Sequence, residues 1–330
     1  MFDKESPFVS VIVPVRNEER FIADCLTNLL NQDYPQDRLK LIVVDNNSTD
    51  RSRTIIRQFP VQYVFEKRKG VSKARNTGAR VARGDLLAFV DGDCVAPRDW
   101  ISRLVTALWD QSADACIGTC VFPQGGSFVE DYLALRGIDS QRELLNESRP
   151  FPPWLLTGNL LVRRTIFEKV AGFEETLARG EDADFWWKIE RAGGCLKYFP
   201  RVQILRRGSS SLINFYSKKF LDGKVSVLLE HRHASLSFQS RGKSTEFLEK
   251  DFTLRRRLKK CLQLLFFTEN NLSFFRKVAY LLLACSGYFS FQVGQWLNRI
   301  RFDVMRMPLP VSAPERRPAF PAPHPQTEMA

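Results

Sequence analysis

A chain of 330 residues, 44% hydrophobic and 26% charged, allows one large α/β domain plus an appendage. Its seven cysteines are scattered without a CxxC pair, which argues against structural zinc and for a reducing compartment. The net charge of +12 is lopsided: residues 201–330 hold 22 Lys+Arg against 9 Asp+Glu, with no recognised nucleic-acid-binding motif beside them.

Met1 to Pro7 is polar, and no secretory signal is expected there. Phe8-Val9-Ser10-Val11-Ile12-Val13-Pro14 reads as a strand, and Arg16-Asn17-Glu18-Glu19 is expected to open a helix running to about Leu30. Leu41-Ile42-Val43-Val44 is a second buried strand. It ends in Asp45-Asn46-Asn47-Ser48-Thr49-Asp50, whose side chains suit a turn and a helix cap. Tyr63-Val64-Phe65 predicts a short third strand. Val71 to Ala82 predicts a helix, with Ala74, Gly78, Ala79 and Ala82 letting it pack closely. After the Gly84-Asp85 turn, the apolar run Leu86 to Val90 suits a central strand, and Asp91-Gly92-Asp93 stands at its carboxyl end.

Strand and helix alternate, so a mainly parallel sheet with helices on its faces is expected. Polar groups gather at the carboxyl ends of three strands, at Arg16 to Glu18, Asp45, and Asp91 to Asp93, the edge where open α/β sheets bind ligands. For any one of them taken alone a solvated cap is the better reading; the three together point to a site. Two carboxylates on rigid backbone make a hard-oxygen site for a divalent cation and the diphosphate it neutralises.

Trp154 to Val162 resembles a strand interrupted by Gly158, where a bulge or a close approach of ligand to backbone is expected. Thr165 is expected to cap the helix Ile166 to Val170, with Gly172 terminating it. Gly180-Glu181-Asp182-Ala183-Asp184 precedes the aromatic helix Phe185 to Arg191. The carboxylates of Glu181 and Asp182 therefore lie at a helix N-terminus, where the dipole favours the ionised form. An ionised carboxylate facing an acceptor hydroxyl can take its proton as the oxygen attacks. Simple capping by Asp182 or Asp184 is the alternative.

In order and spacing, VSVIVPVRNEE (9–19), VVDNNSTD (43–50), GVSKARNTGARVARGDLLAFVDGDC (70–94), TGNLLVRRTIFEKVAGFEE (157–175) and GEDADFWWKIERAGG (180–194) resemble the GT-A-fold glycosyltransferases of family 2 over roughly residues 8–211. The resemblance implies a Rossmann-like α/β sheet, a nucleotide-sugar donor and a divalent cation, Mn2+ or Mg2+. A UDP-sugar is favoured, with guanosine left open. By resemblance, Pro14, Arg16 and Glu18 line the base and ribose pocket, Asp45 hydrogen-bonds the base, and Arg75 meets the base or the pyrophosphate. Asp91 and Gly92 would contact ribose or diphosphate, and Asp93 with Asp91 would ligate the metal. The family's base falls in the Glu181-Asp182 pair, which implies Asp182 as the base and Glu181 as its support. Gly158, Asn159 and Trp186 are expected on the acceptor side.

Two departures stand out. Many relatives carry a downstream histidine that completes the metal site; Val202 to Ser211 has none, and Arg206 stands in its place. A guanidinium cannot ligate a cation but can grip a diphosphate with two hydrogen bonds. The signature of processive synthases is also missing: Gln141-Arg142-Glu143-Leu144-Leu145 starts like it and then fails, which implies one sugar per encounter.

In the basic appendage, Arg255-Arg256-Arg257-Leu258-Lys259-Lys260 is the densest run. Val278 to Trp296 is uncharged and just long enough to span a bilayer. Its glutamines, and basic residues at both ends (Arg276, Lys277, Arg299, Arg301), fit a helix lying in an anionic membrane interface better. A helix packed on the catalytic domain is the alternative. His231-Arg232-His233 reads as a solvated helix end, and Pro308 to Ala330 as a Pro-rich disordered tail. The expected regions are a GT-A domain over 1–211, a basic helical, membrane-associated region over 212–307 and the tail over 308–330. The function implied is inverting, non-processive sugar transfer to a lipid-linked or glycan acceptor at the cytoplasmic face of a membrane, with no nucleic-acid partner. A non-catalytic nucleotide-sugar-binding scaffold recruited to the membrane is the alternative.

Overall fold

The computed structural model describes residues 6–123, 125, 127–135, 156–208, 211–233 and 273–305. The segment Gln141 to Leu145, the basic run 255–260 and the tail 308–330 lie outside them. Strands β1 (Val9–Val15), β2 (Leu39–Asp45), β3 (Gln62–Phe65) and β4 (Leu86–Val90) pair in parallel, linked by helices α1 (Ile22–Leu30), α2 (Ser52–Ile56) and α3 (Val71–Val81). Then come β5 (Cys94–Val95), α4 (Trp100–Asp110), β6 (Ala115–Val121), a helix α5 over 128–135, β7 (Asn159–Arg163), α6 (Arg164–Lys169), α7 (Glu181–Arg191) and β8 (Leu196–Arg206). Two long helices follow, α8 (Leu212–Arg232) and α9 (Phe274–Met305). The eight strands form one sheet in the order β3-β2-β1-β4-β7-β6-β8-β5.

Every residue of β1 and β4 is buried, as a strand covered on both faces requires. Their side chains alternate between two cores. Val11, Val13 and Val90 meet Leu26, Trp100 and Leu104 from α1 and α4. Ile12, Leu87 and Phe89 meet Phe167, Phe173 and Phe185 on the other side. Phe173 stacks on Phe185 with ring centroids 4.4 Å apart, directly beneath α7. Truncating such a ring to alanine costs about 3–5 kcal/mol, so this cluster fixes α7 firmly on the sheet. On the same face α3 comes close to β1 and β2 because Gly78 has no Cβ; one there would collide with the side chain of Ile12.

From β1 the chain steps outward to β2 and β3, then returns to place β4 on the other side of β1. That reversal opens a crevice between the carboxyl ends of β1 and β4, the usual ligand position in open α/β sheets. β7 runs antiparallel to β4, pairing Asn159 with Val90, so its amino end reaches the same edge. β8 runs parallel to β6 and brings Arg206 there as well. Four strands thus deliver polar ends to one edge.

Several local expectations change. Residues 16–21 form bends and turns rather than the first turns of α1. The N–H groups of Asn17, Glu18 and Glu19 donate to Ser48 Oγ, Ser52 Oγ and Asp50 Oδ2, so the loop after β2 ties them down before a helix can form. Gly158 lies in a turn ahead of β7 rather than in a bulge. α6 begins at Arg164 with no side-chain cap, which removes the capping role expected of Thr165. His233 is buried, not solvated: its Nε2 lies 3.1 Å from Asp184 Oδ1.

Candidate active site

A cavity of about 790 Å³ opens at the shared strand edge. Its floor is a chain of alternating charges. Arg75, on α3 and 3% exposed, reaches Asp91 with Nη2 at 2.9 Å, and Glu181 and Asp182 with Nη1 at 3.2 Å each. Its guanidinium stands over the ring of Phe173, 5.3 Å from the centroid. Arg206 continues the chain, with Nη1 3.3 Å from Asp91 and Nε 3.1 Å from Asp93. Asp91 is therefore clasped from both sides, and the pair on α7 is wired through one buried guanidinium to the end of β4. A buried charge set of this kind is stable only because each member has an opposite partner.

α7 starts at Glu181 because Gly180 adopts φ +76°, a left-handed turn that swings the chain into the helix. Asp182 accepts hydrogen bonds from Thr157 Oγ1 and from Arg75. Burial, and next the charge of Asp182, push the Glu181 carboxyl up to about 7, with Arg75 opposing. Burial and Asp182 thus work against the ionised form that the helix dipole and Arg75 favour at Glu181. Burial also opposes ionisation of Asp91, yet Arg75 and Arg206 outweigh it and hold its carboxyl below the usual range. Glu18 is pushed up to about 7, first by burial and then by Asp93. Deeper under α7, burial opposes ionisation of Asp184, but His233, Lys188 and Arg232 hold its carboxyl at about 2.

Of the residues singled out in the sequence, Pro14, Arg16, Glu18, Arg75, Asp91, Gly92, Asp93, Glu181, Asp182 and Arg206 all line this cavity. Four do not. Asp45 is fully buried: Oδ1 accepts from the N–H of Ser48, and Oδ2 from Arg53 and the Tyr63 hydroxyl, so it braces the loop after β2. Asn46 and Asp50 face the cavity instead. Asn159 is fully buried, accepting from Trp100 Nε1 and donating to the carbonyls of Thr119 and Val202. Trp186 is 1% exposed and packs against Phe185, so it cannot meet an acceptor. Gly158 approaches Asp91 rather than a ligand; a Cβ there would stand 2.8 Å from Asp91 Oδ2.

The sequence reading missed Arg179, Lys218, Lys219 and Asp222, which complete the cavity wall from the loop before α7 and from α8. Lys218 makes no hydrogen bond or ion pair among the described residues. Burial, then Arg206 and Arg179, depress its pKa. The signal was the Lys218-Lys219 pair, counted with the membrane-side charge because it lies past the expected boundary at 211. α8 is in fact a wall of the site.

No group of three or more His, Cys, Asp and Glu is arranged to hold a metal among the described residues. Both oxygens of Asp91 are taken by arginines, which argues against it as a ligand. Asp93 keeps Oδ1, in contact only with the weak donor Cys94 Sγ at 3.5 Å. One carboxylate of that kind fits Mg2+ or Mn2+ that takes its other oxygens from substrate phosphates and water.

Strand order, crevice and acidic strand end define a GT-A fold. The mannosyltransferase PcManGT from Pyrobaculum calidifontis, solved with GDP-Man and Mn2+, superposes with a TM-score of 0.57 at 21% identity, covering 92% of this chain and 89% of that one. TarS 1-349 of S. aureus gives 0.51 at 18% identity, over 88% and 91%. Residues 10–171 match the family model for glycosyl transferase family 2. Glycosyltransferase AglE of Haloferax volcanii is 33% identical over 200 residues, 58% of this chain and 64% of its own. The probable glycosyltransferase YdaM of Bacillus subtilis is 29% identical over 222 residues, 60% and 50% respectively. Residues 10–171 are a glycosyl transferase family 2 domain. The chain spans between about half and two thirds of the length of these curated relatives.

Proposed function

We propose that the chain catalyses inverting, non-processive transfer of a sugar from a nucleoside-diphosphate sugar to a hydroxyl of a lipid-linked or glycan acceptor, working at the cytoplasmic face of a membrane. One observation carries the reading: a single cavity holds a cationic wall and a carboxylate pair, joined by Arg75. The GDP-Man and Mn2+ of the mannosyltransferase support a nucleotide-sugar donor and a divalent cation. The motif resemblance favours a UDP-sugar.

The nucleoside lies against Pro14 to Glu18, with Asn46 and Asp50 beside it. The diphosphate meets Arg206, Lys218 and Arg179, cations aimed at where negative charge develops. A cation held by Asp93 would add to that neutralisation of the leaving group. Asp182, held by Thr157 and Arg75, takes the acceptor proton as the hydroxyl oxygen attacks the anomeric carbon opposite the diphosphate. The carbon–oxygen bond to the diphosphate breaks in the same displacement, so the anomeric centre inverts. Glu181, beside Asp182 on the same turn of α7, borders the acceptor side. A scaffold that only bound the donor has no need of a carboxylate pair at α7.

Asp182→Asn separates binding from chemistry. Calorimetry with UDP and GDP, each with Mn2+, should give parental affinity, while transfer falls by about 10² or more, as for a lost general base. Near-parental turnover would move the base to Glu181 or end the proposal.

A further inference from the structure

α9 carries two different faces. Its first turns pack inward, with Tyr280 and Leu283 joining Val129, Tyr132 and Phe215 in a small core. From Ser286 onward, apart from Phe291, the face toward α8 is small or polar. A Cβ on Gly294 would collide with the carbonyl of Phe220, and one on Gly223 with that of Phe291, so the two backbones touch. Side-chain hydrogen bonds join them: Ser286 to the Tyr216 hydroxyl at 2.8 Å, Gln295 to Ser226 at 2.9 Å and Asn298 to the carbonyl of Lys224 at 2.7 Å. The opposite face holds Phe275, Leu282, Phe289 and Trp296, seven residues apart and between 62% and 84% exposed. Small residues and hydrogen bonds inside with large apolar groups outside is the reverse of a water-facing helix pair; it is how helices pack against hydrocarbon.

Among the described residues no helix is long and apolar enough to cross a membrane, so the stripe lies along a bilayer rather than through it. Charge selects the kind of bilayer. Arg276 and Lys277 precede the stripe, Arg299 and Arg301 follow it, and α9 has no Asp or Glu between them. Such a helix complements anionic headgroups. A second copy of this chain is the competing occupant, since seven-residue spacing also builds coiled coils. The second column such a seam needs is either Val278, Cys285, Gln292 and Arg299, which turns polar and then charged, or Ala279, Ser286, Val293 and Ile300, in which Ser286 is engaged by Tyr216 of α8.

We propose that Phe275, Leu282, Phe289 and Trp296 seat α9 in the headgroup–acyl boundary of an anionic bilayer. The proposal rests on the membrane-side reading above and names the surface responsible. α8 lies between this stripe and the cavity, to which it turns Phe215 and Lys218. Docking therefore brings the cavity to the headgroup layer, where the reacting end of a lipid-linked acceptor sits.

The test is co-sedimentation of the full-length chain with phosphatidylcholine vesicles, with and without phosphatidylglycerol, at low and high salt. The parent should bind the anionic vesicles in a salt-sensitive way. The combined variant Phe275→Ser, Leu282→Ser, Phe289→Ser, Trp296→Ser should lose at least about tenfold in affinity. Its nucleoside-diphosphate affinity should stay parental, so a failure of docking and a failure of the transfer reading show in separate readouts. Brominated lipid should quench Trp fluorescence in the parent and less so in Trp296→Phe. A parent that stays in the supernatant, a variant that binds like the parent, or a dimer dissolved by the variant without vesicle binding would each overturn the proposal.

Discussion

At the residue scale the site is organised by arginines more than by carboxylates. Arg75 joins three acidic side chains and Arg206 two, so the acids keep their positions through guanidinium forks that lysine could not reproduce. Glu18 stands outside this network and shows its cost. Its carboxyl ionises at about 7 rather than 4.5, because it is buried and faces Asp93. Between those two values the folded chain keeps a proton that the unfolded chain has lost. Glu18 therefore withdraws stability as pH rises through that window and costs nothing below it. Glu18→Gln should melt about 1–3 °C above the parent at pH 8, with the gap closing toward pH 4.5 in scanning calorimetry. A gap that ignores pH would show that Glu18 does not carry the effect. Asp91 and Asp184, both depressed, act in the opposite sense and withdraw their support only in stronger acid.

At the scale of elements, α8 is the piece that changes the picture. It follows the stretch that resembles the family, yet it supplies Lys218 to the cavity wall, on the side proposed for the diphosphate. Lys218→Met should raise the donor KM about tenfold, the worth of one charge-assisted hydrogen bond. The same change should leave the melting temperature equal or higher, since it removes a cation held near Arg206 and Arg179. An unchanged KM would remove α8 from the donor site. The strands were legible in the sequence because β1, β2 and β4 are apolar runs closed by polar or charged residues, and the order of their ends located the crevice. Asp182 and Arg206 were legible through motif spacing. What was not legible depended on contacts between distant segments. Asp45 looks like a ligand residue until Arg53 and Tyr63 close on its Oδ2 and the Ser48 N–H on its Oδ1. Asn159 is spent on Trp100 and two carbonyls. The fate of residues 16–21 is decided by three side chains more than thirty positions away.

At the scale of the whole molecule, the two long helices are joined to the catalytic layer at both ends of α8. Near its start, Phe215 meets Tyr132 and α9. At its finish, Arg232 and His233 close on Asp184, two positions from Asp182 in the same first turn of α7. Asp184 is fully buried; Arg232 and His233 approach its Oδ1, and Lys188, on α7 itself, its Oδ2. The last turn of α8 therefore cannot peel away without leaving this buried carboxylate to Lys188 alone, beneath the proposed base. Fraying, the ordinary habit of a helix end, is opposed here. Heat should accordingly take the enzyme out in one step: the temperature at which half the transfer activity is lost should equal the calorimetric midpoint, with no lower shoulder for departure of α8. His233→Ala should move both temperatures down together. Separation of the two would mean that the helix and the base lead independent lives.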